Sequence, residues 1–277
     1  MTFLRGLWKQ RPKQWGPGSL VEHSVVNNCE QMGMLGGNII AYYPMWEFVG
    51  DARSVISGVP YTTMSVAAGD WGFDGFGNAV DDSLLQNPSF VTNTNGLSKL
   101  SIVALVTLHS VVTEASTIFK ADNSISAGIQ DSSSGTVRNL LGTTGVNGWT
   151  AANDFSFGEI KTKQQVMLGF TWDGDNLRHI YNDRMSPSYV VNGTITDSAV
   201  TTYVLYNPGK SVYLNATISS LLVYNGYLSN GQVSYLYDNP YALIQPPTFR
   251  TYFIPSGDIP TFNLAALNAS KPTRIIQ

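Results

Sequence analysis

Residues 212–247, VYLNATISSLLVYNGYLSNGQVSYLYDNPYALIQPP, constrain the fold more than any other stretch, because they fix in order a strand, a stop, a short helix and a second stop. Residues 212–214 and 218–224 are rich in β-branched, leucine and aromatic side chains, as strands are. Asn225-Gly226 is a pair that tolerates positive φ, so the strand is expected to end there. Ser229 stands three residues before Gln232, the spacing of a capping box, and Leu228 and Val233 occupy hydrophobic-staple positions. The spacing predicts a helix from Ser229 that buries Val233, Leu236 and Tyr237 on one face. Asp238-Asn239-Pro240 closes it, since the residue before a proline is pushed out of the α region. A helix of about three turns is too short to stand alone in water, so it must lie on a sheet.

The rest of the chain reads as strands and turns. Residues 38–48 are almost continuously apolar, as in a strand buried on both faces. Residues 101–112 form the longest apolar run, and their β-branched content favours a central strand over a helix. Shorter candidates at 117–120, 126–130, 136–141 and 154–160 recur at roughly ten-residue spacing, which a sandwich gives. Residues 166–172 and 177–182 flank Asp173-Gly174, a hairpin signal. A chain of 277 residues is long enough for one large all-β domain with extensions. Charged residues are only 13%, against roughly 25% in an average soluble protein, so the surface relies on neutral polar groups. A formal charge of −3 gives no reason to expect nucleic acid as a partner. With Cys29 as the single cysteine there is no internal disulfide, and folding rests on the core. No apolar run is long enough to span a membrane, and the start lacks the apolar region of a signal peptide. Synthesis in a cytoplasm, with release by lysis if at all, is the expectation.

Three segments are therefore expected: an N-terminal arm over 1–36, a β domain over 37–247 and a C-terminal extended arm over 248–277. Arg5, Lys9, Arg11 and Lys13 interleave with Phe3, Leu4, Leu7, Trp8 and Trp15, a composition suited to docking on a larger assembly. A loose tail is the plainer reading, and Pro12 and Pro17 confine a membrane-surface helix to one short piece. The C-terminal stretch carries Pro255, Pro260 and Pro272 among scattered aromatics, and reads as a partner-binding or subunit-wrapping arm, or again as a tail.

The segment at 218–240, ISSLLVYNGYLSNGQVSYLYDNP, resembles the closing strand and helix of laminin-G-like, concanavalin A-like jelly-roll domains. FDGFGNAV at 73–80 is similar to the family's early FDGxGDxV strand, and TWDGDNLRHIYND at 171–183 to its xYDGxxLxLYVDG hairpin. The ending LYDNPYALIQPP and the opening FLRGLWKQRP also look like those of jelly-roll proteins encoded by tailed bacteriophages. The resemblance implies an all-β antiparallel sandwich with one short C-terminal helix. It also implies calcium held at the rim, for which Asp70, Asp74, Asp81 and Asp82 are the carboxylates to test; the alternative is that they stabilise turns and keep an edge soluble.

Catalytic patterns are scarce. The five glutamates, Glu22, Glu30, Glu47, Glu114 and Glu159, do not form the Glu-x-Asp-x-x-Glu strand of the glycosidases that share this fold. An aspartate pair such as Asp70 with Asp74 in a glycine-rich loop reads as turn chemistry. Ser132, Ser133 and Ser134 before Gly135 lie in a polar turn and not at a nucleophile elbow. Gly209-Lys210-Ser211 precedes a strand, so it reads as a hairpin turn and not a phosphate loop. Leu177 breaks any calcium loop at Asp173, and His23, His109 and His179 lack zinc spacing. His109 reads as a hydrogen-bonded core residue. The asparagines at 192, 215 and 268 match a glycosylation pattern that counts for little without a secretory signal.

The expectation is a non-enzymatic protein displayed on a virion, as head decoration or as part of the tail or its fibres, held by its arms to other virion proteins and further copies of itself. The alternative is a module that binds host surface glycan, with Trp71, Phe76 and Trp149 stacking on sugar rings unless they pack down on the sheet. A glycoside hydrolase is the remote third.

Overall fold

Period-two alternation along the apolar runs decides the architecture. The computed structural model describes residues 20–43, 52–53, 60–63, 68–69, 72–74, 85–87, 94–121, 125–144, 154–196, 202–210, 212–239 and 242–243. The chain enters through α1 (Leu20–Gln31), a 3-10 turn (Gly36–Asn38) and β1 (Ile39–Tyr43). Five short strands follow: β2 (Ala52–Arg53), β3 (Pro60–Thr63), β4 (Ala68–Gly69), β5 (Gly72–Asp74) and β6 (Leu85–Asn87). The central strands are β7 (Leu100–Leu108), β8 (Ser116–Ala121), β9 (Ile125–Asp131), β10 (Thr136–Leu141) and β11 (Asp154–Ser156). Next come β12 (Gln165–Trp172), β13 (Asn176–Tyr181), β14 (Arg184–Met185) and β15 (Tyr189–Val190). The last are β16 (Thr202–Val204), β17 (Tyr206–Asn207), β18 (Val212–Tyr213), β19 (Ala216–Tyr224) and α2 (Asn230–Asp238). The chain divides into two units, Met1–Pro246 and Pro247–Gln277, and these elements belong to the first.

Among the described residues, nine strands make one sheet in the order β14-β13-β12-β7-β19-β5-β4, with β1 also on β19 and β15 also on β13. Eight make the second, in the order β11-β10-β9-β8-β16-β6-β3-β2. The ladders are antiparallel, so the expected all-β sandwich is the fold. Ile102, Ala104 and Val106 of β7 face the sandwich interior with Phe170 and Trp172 of β12, and meet Phe119, Ile125, Ala127 and Val137 from the second sheet. Val103 and Leu105 point the other way, into a second cluster with Met167 and Leu222, beneath Val25 and Cys29 of α1 and Val233 and Leu236 of α2. That is why the run at 102–106 is apolar without interruption: one face meets a sheet and the other meets helices.

In β19 the parity changes midway. Ile218 pairs with Val106 but Ser220 pairs with Leu105, leaving Ser219 as an extra residue. This bulge lets Ala216 and Ile218, then Leu221 and Val223, all face the sandwich.

Helix α2 forms as its sequence predicts. Ser229 Oγ accepts from Gln232 N–H, and the Gln232 side chain accepts in return from Ser229 N–H. Leu228 and Val233 are fully buried, each contributing about 1.5–3 kcal/mol. The preceding turn differs from expectation, since neither Asn225 nor Gly226 has positive φ. Glycine is needed at 226 because a Cβ there would lie 2.3 Å from the Tyr224 ring. Asp173-Gly174 is a hairpin turn, in which Asp173 Oδ1 accepts from the N–H groups of Asp175 and Asn176. Gly209 and Lys210 turn between β17 and β18, again as expected.

The N-terminal region differs more. The sequence gives residues 1–36 no part in the core and puts the chain's one helix near its C-terminal end. The structure has α1 as well, and buries Val25, Cys29 and Met34 in the outer cluster. Asn28 Nδ2 donates to Leu243 O at 3.0 Å, and Gln232 Nε2 to Met32 O at 3.1 Å, so both helices form one layer on the outer face of the nine-stranded sheet. No described helix is long and apolar enough to cross a membrane.

Candidate functional site

Asp70, Trp71, Phe76, Asp81, Asp82 and Trp149 lie outside the described residues. Asp74 ends β5, in register with Thr217 of β19. Among the described residues no group of three or more His, Cys, Asp or Glu side chains comes together as a metal cradle. His109 lies just past the end of β7, half-buried, with Nε2 2.8 Å from Thr217 Oγ1; it is hydrogen-bonded as expected, but at a strand end and not in the core. The interior histidine is His179, with no exposed surface.

The densest aromatic and charged grouping among the described residues lies where β11, an edge of one sheet, runs beside β13, β14 and β15 at the edge of the other. It starts from a cross-strand pair. Arg138 of β10 stands opposite Asp154 of β11, and its Nε and Nη2 donate to the two carboxylate oxygens at 2.7 and 2.5 Å. Those hydrogen bonds hold the Arg138 guanidinium above its usual range. Three donors then cross from the nine-stranded sheet to carbonyls of β11 and its exit. Tyr189 Oη reaches Asp154 O at 3.4 Å, Arg184 Nη2 reaches Phe157 O at 3.3 Å, and Tyr181 Oη reaches Glu159 O at 3.3 Å. Burial is the main cause that raises both tyrosine hydroxyls, so each remains a donor at neutral pH.

The rings sit on this lacing. Phe155 and Phe157 meet edge-on with centroids 4.8 Å apart, and Phe157 lies 5.5 Å from Tyr181. The exposed Arg184 guanidinium lies 5.6 Å from the Phe157 centroid and 5.2 Å from that of Tyr181, within cation–π range. A tight turn places Phe157. Phe157 N–H donates to Gly135 O and Ile160 N–H to Ser132 O, while a Cβ at Gly135 would lie 1.0 Å from Gly158 O. Ser133 donates its N–H and hydroxyl to Asp131 Oδ1, so the serine run is the polar turn its sequence indicates. Those bonds hold the Asp131 carboxyl below its usual range.

Chemically, this edge offers half-exposed ring faces and an exposed cation with N–H groups to give. Sequence reading missed it because its residues come from five strands. One signal was present: Phe155 and Phe157 stand two apart in a polar stretch, the first within β11 and the second in the turn that follows it.

No family model matches the chain, and no curated protein matches it at a significant level. Solved structures do. A Trypanosoma rangeli sialidase in complex with the inhibitor DANA is similar at a TM-score of 0.57 and 15% identity, over 78% of this chain and 36% of that one. The binding domain of botulinum neurotoxin DC, in complex with rat synaptotagmin II, is similar at 0.53 and 14%, over 73% of this chain and 52% of that one. The botulinum neurotoxin type G receptor-binding domain is similar at 0.53 and 14%, over 73% and 51%. These likenesses show the fold alone. The sandwich spans about a third of the sialidase chain and half of each toxin domain.

Proposed function

We propose that this chain is a non-enzymatic display module of the laminin-G-like kind, a rigid sandwich carried on the surface of a tailed-phage particle by its terminal segments. Its partners are other virion proteins and further copies of itself, at the head or at the tail and its fibres. The supporting observation is the hydrogen bond from Asn28 of α1 to Leu243 O. It ties α1 to the stretch just after α2 within one layer, and the segments beyond these two points are the ones we assign to attachment. The resemblance of residues 3–12 and 236–247 to phage-encoded jelly rolls supplies the particle. Deleting residues 1–19 or 247–277 is expected to abolish incorporation into particles while leaving a β-rich circular dichroism spectrum and a cooperative melt. Full incorporation of both deletion variants would overturn the attachment reading.

A second reading is favoured by the edge cluster: recognition of a host surface glycan. Half-exposed rings can lie against the C–H faces of a sugar, and Arg184 supplies hydrogen bonds beside them. One solved neighbour is a sialidase bound to sialic acid and another a toxin receptor-binding domain, companions in fold that agree with this reading. Phe157→Ala is expected to lower binding to a host-envelope polysaccharide fraction about tenfold, the loss of roughly 1.4 kcal/mol. Unchanged binding would remove the cluster from the proposal.

A further inference from the structure

We propose that the edge cluster takes an acidic saccharide, with Arg184 holding the sugar carboxylate and the sugar ring lying beside the Phe155–Phe157 pair. This rests on the glycan reading above and narrows it to one class of ligand. The cluster contains two arginines in opposite states. Arg138 has both arms of its fork on Asp154, at 2.7 and 2.5 Å, and is spent. Arg184 is exposed and gives one N–H to Phe157 O at 3.3 Å, of the five that a guanidinium carries. Among the described residues the ion pair is Arg138–Asp154, and neither Glu159 nor Asp183, both exposed, pairs with Arg184.

The planar guanidinium is held over the Phe157 and Tyr181 rings, so less side-chain freedom is lost when its fork closes on a carboxylate. A neutral sugar would use the rings and leave those N–H groups to water. A flexible acidic peptide would satisfy the charge but offers no rigid C–H face to the phenylalanines. A pyranose bearing a carboxylate offers both at once.

The test uses galacturonic, glucuronic and N-acetylneuraminic oligosaccharides, each beside its own methyl ester, with hexaglutamate as a peptide control, against the full chain by calorimetry. At least one acid is expected to bind about tenfold or more tightly than its ester, the increment of a charge-assisted pair. Arg184→Gln is expected to erase that preference and keep the weaker binding common to acid and ester, while Phe157→Ala weakens both forms. Arg184→Lys, which keeps the charge and loses the fork, is expected to fall between, and serves if the glutamine variant does not fold. Equal binding of acids and esters would overturn the acidic class and leave the glycan reading standing. Binding of no saccharide by the folded chain would overturn both. Hexaglutamate bound as tightly as the best acid would show that charge is read without a sugar, and would overturn the saccharide class.

Discussion

At Asn139 one side-chain amide serves three partners in the middle of the sandwich. Its oxygen accepts from Gly128 N–H of the neighbouring β9 at 3.2 Å, while its nitrogen donates across the interior to Gly169 O of β12 at 2.8 Å and to His179 Nδ1 of β13 at 2.7 Å. The amide orientation follows from the Gly128 donor, so the Asn139 nitrogen is the donor to His179 Nδ1. Each sheet contributes to this tie, which fixes how one sheet sits on the other. Asn139→Ala leaves a buried N–H and a buried carbonyl without this amide, and is expected to lower stability by about 3 kcal/mol, from roughly 1–3 for each orphaned group. Urea denaturation checks it, with a lower midpoint and an unchanged slope; a loss within error of zero would mean the tie is replaced by water. None of this was legible from residues 40 positions apart. A histidine inside a strand signals burial only, and sequence reading assigned the core role to His109, where β7 has already ended.

The two helices show why one element could be read and the other could not. Helix α2 carries its own start and stop in Ser229, Gln232 and Pro240, and its local signals agree with its packing. Helix α1, LVEHSVVNNCEQ, is poor in strong helix formers and carries no basic residue in its last turn. Its stability comes from docking Val25 and Cys29 on the sheet, which a single sequence does not display. Cys29 reports on that docking. Burial, with a smaller contribution from Glu30, pushes its thiol from the usual 9.0 to about 12. A thiol raised in the folded state binds more protons there than in the unfolded chain between those two values. Its contribution is fully present below pH 9 and falls as pH rises towards 12. Cys29→Ala is therefore expected to flatten the decline in unfolding free energy between pH 8 and 10.5 relative to the unmodified chain, as read by urea melts. Parallel curves for the two proteins would mean that α1 does not hold Cys29 in the core. The bulge at Ser219 was equally hidden, because a run such as Ile218-Ser-Ser-Leu-Leu-Val satisfies the alternation with or without one extra residue.

For the whole molecule, the sandwich was legible because strand patterns at close spacing and a capped helix admit few other arrangements. Its solved neighbours share it at 10–15% identity, so the fold does not depend on most individual side chains. The edge cluster was not legible, since Arg138, Phe155, Phe157, Tyr181, Arg184 and Tyr189 meet only after the two sheets have stacked. Composition alone suggests a role for the terminal segments, and what the structure adds is that α1 and the stretch just after α2 are tied by the Asn28–Leu243 bond. The most direct measurement of the display reading is immunogold electron microscopy on intact particles, with antibody raised against the folded sandwich. Gold on the particle surface, over heads or confined to tails, is the predicted result, and lysates that contain the protein while purified particles carry no label would contradict it.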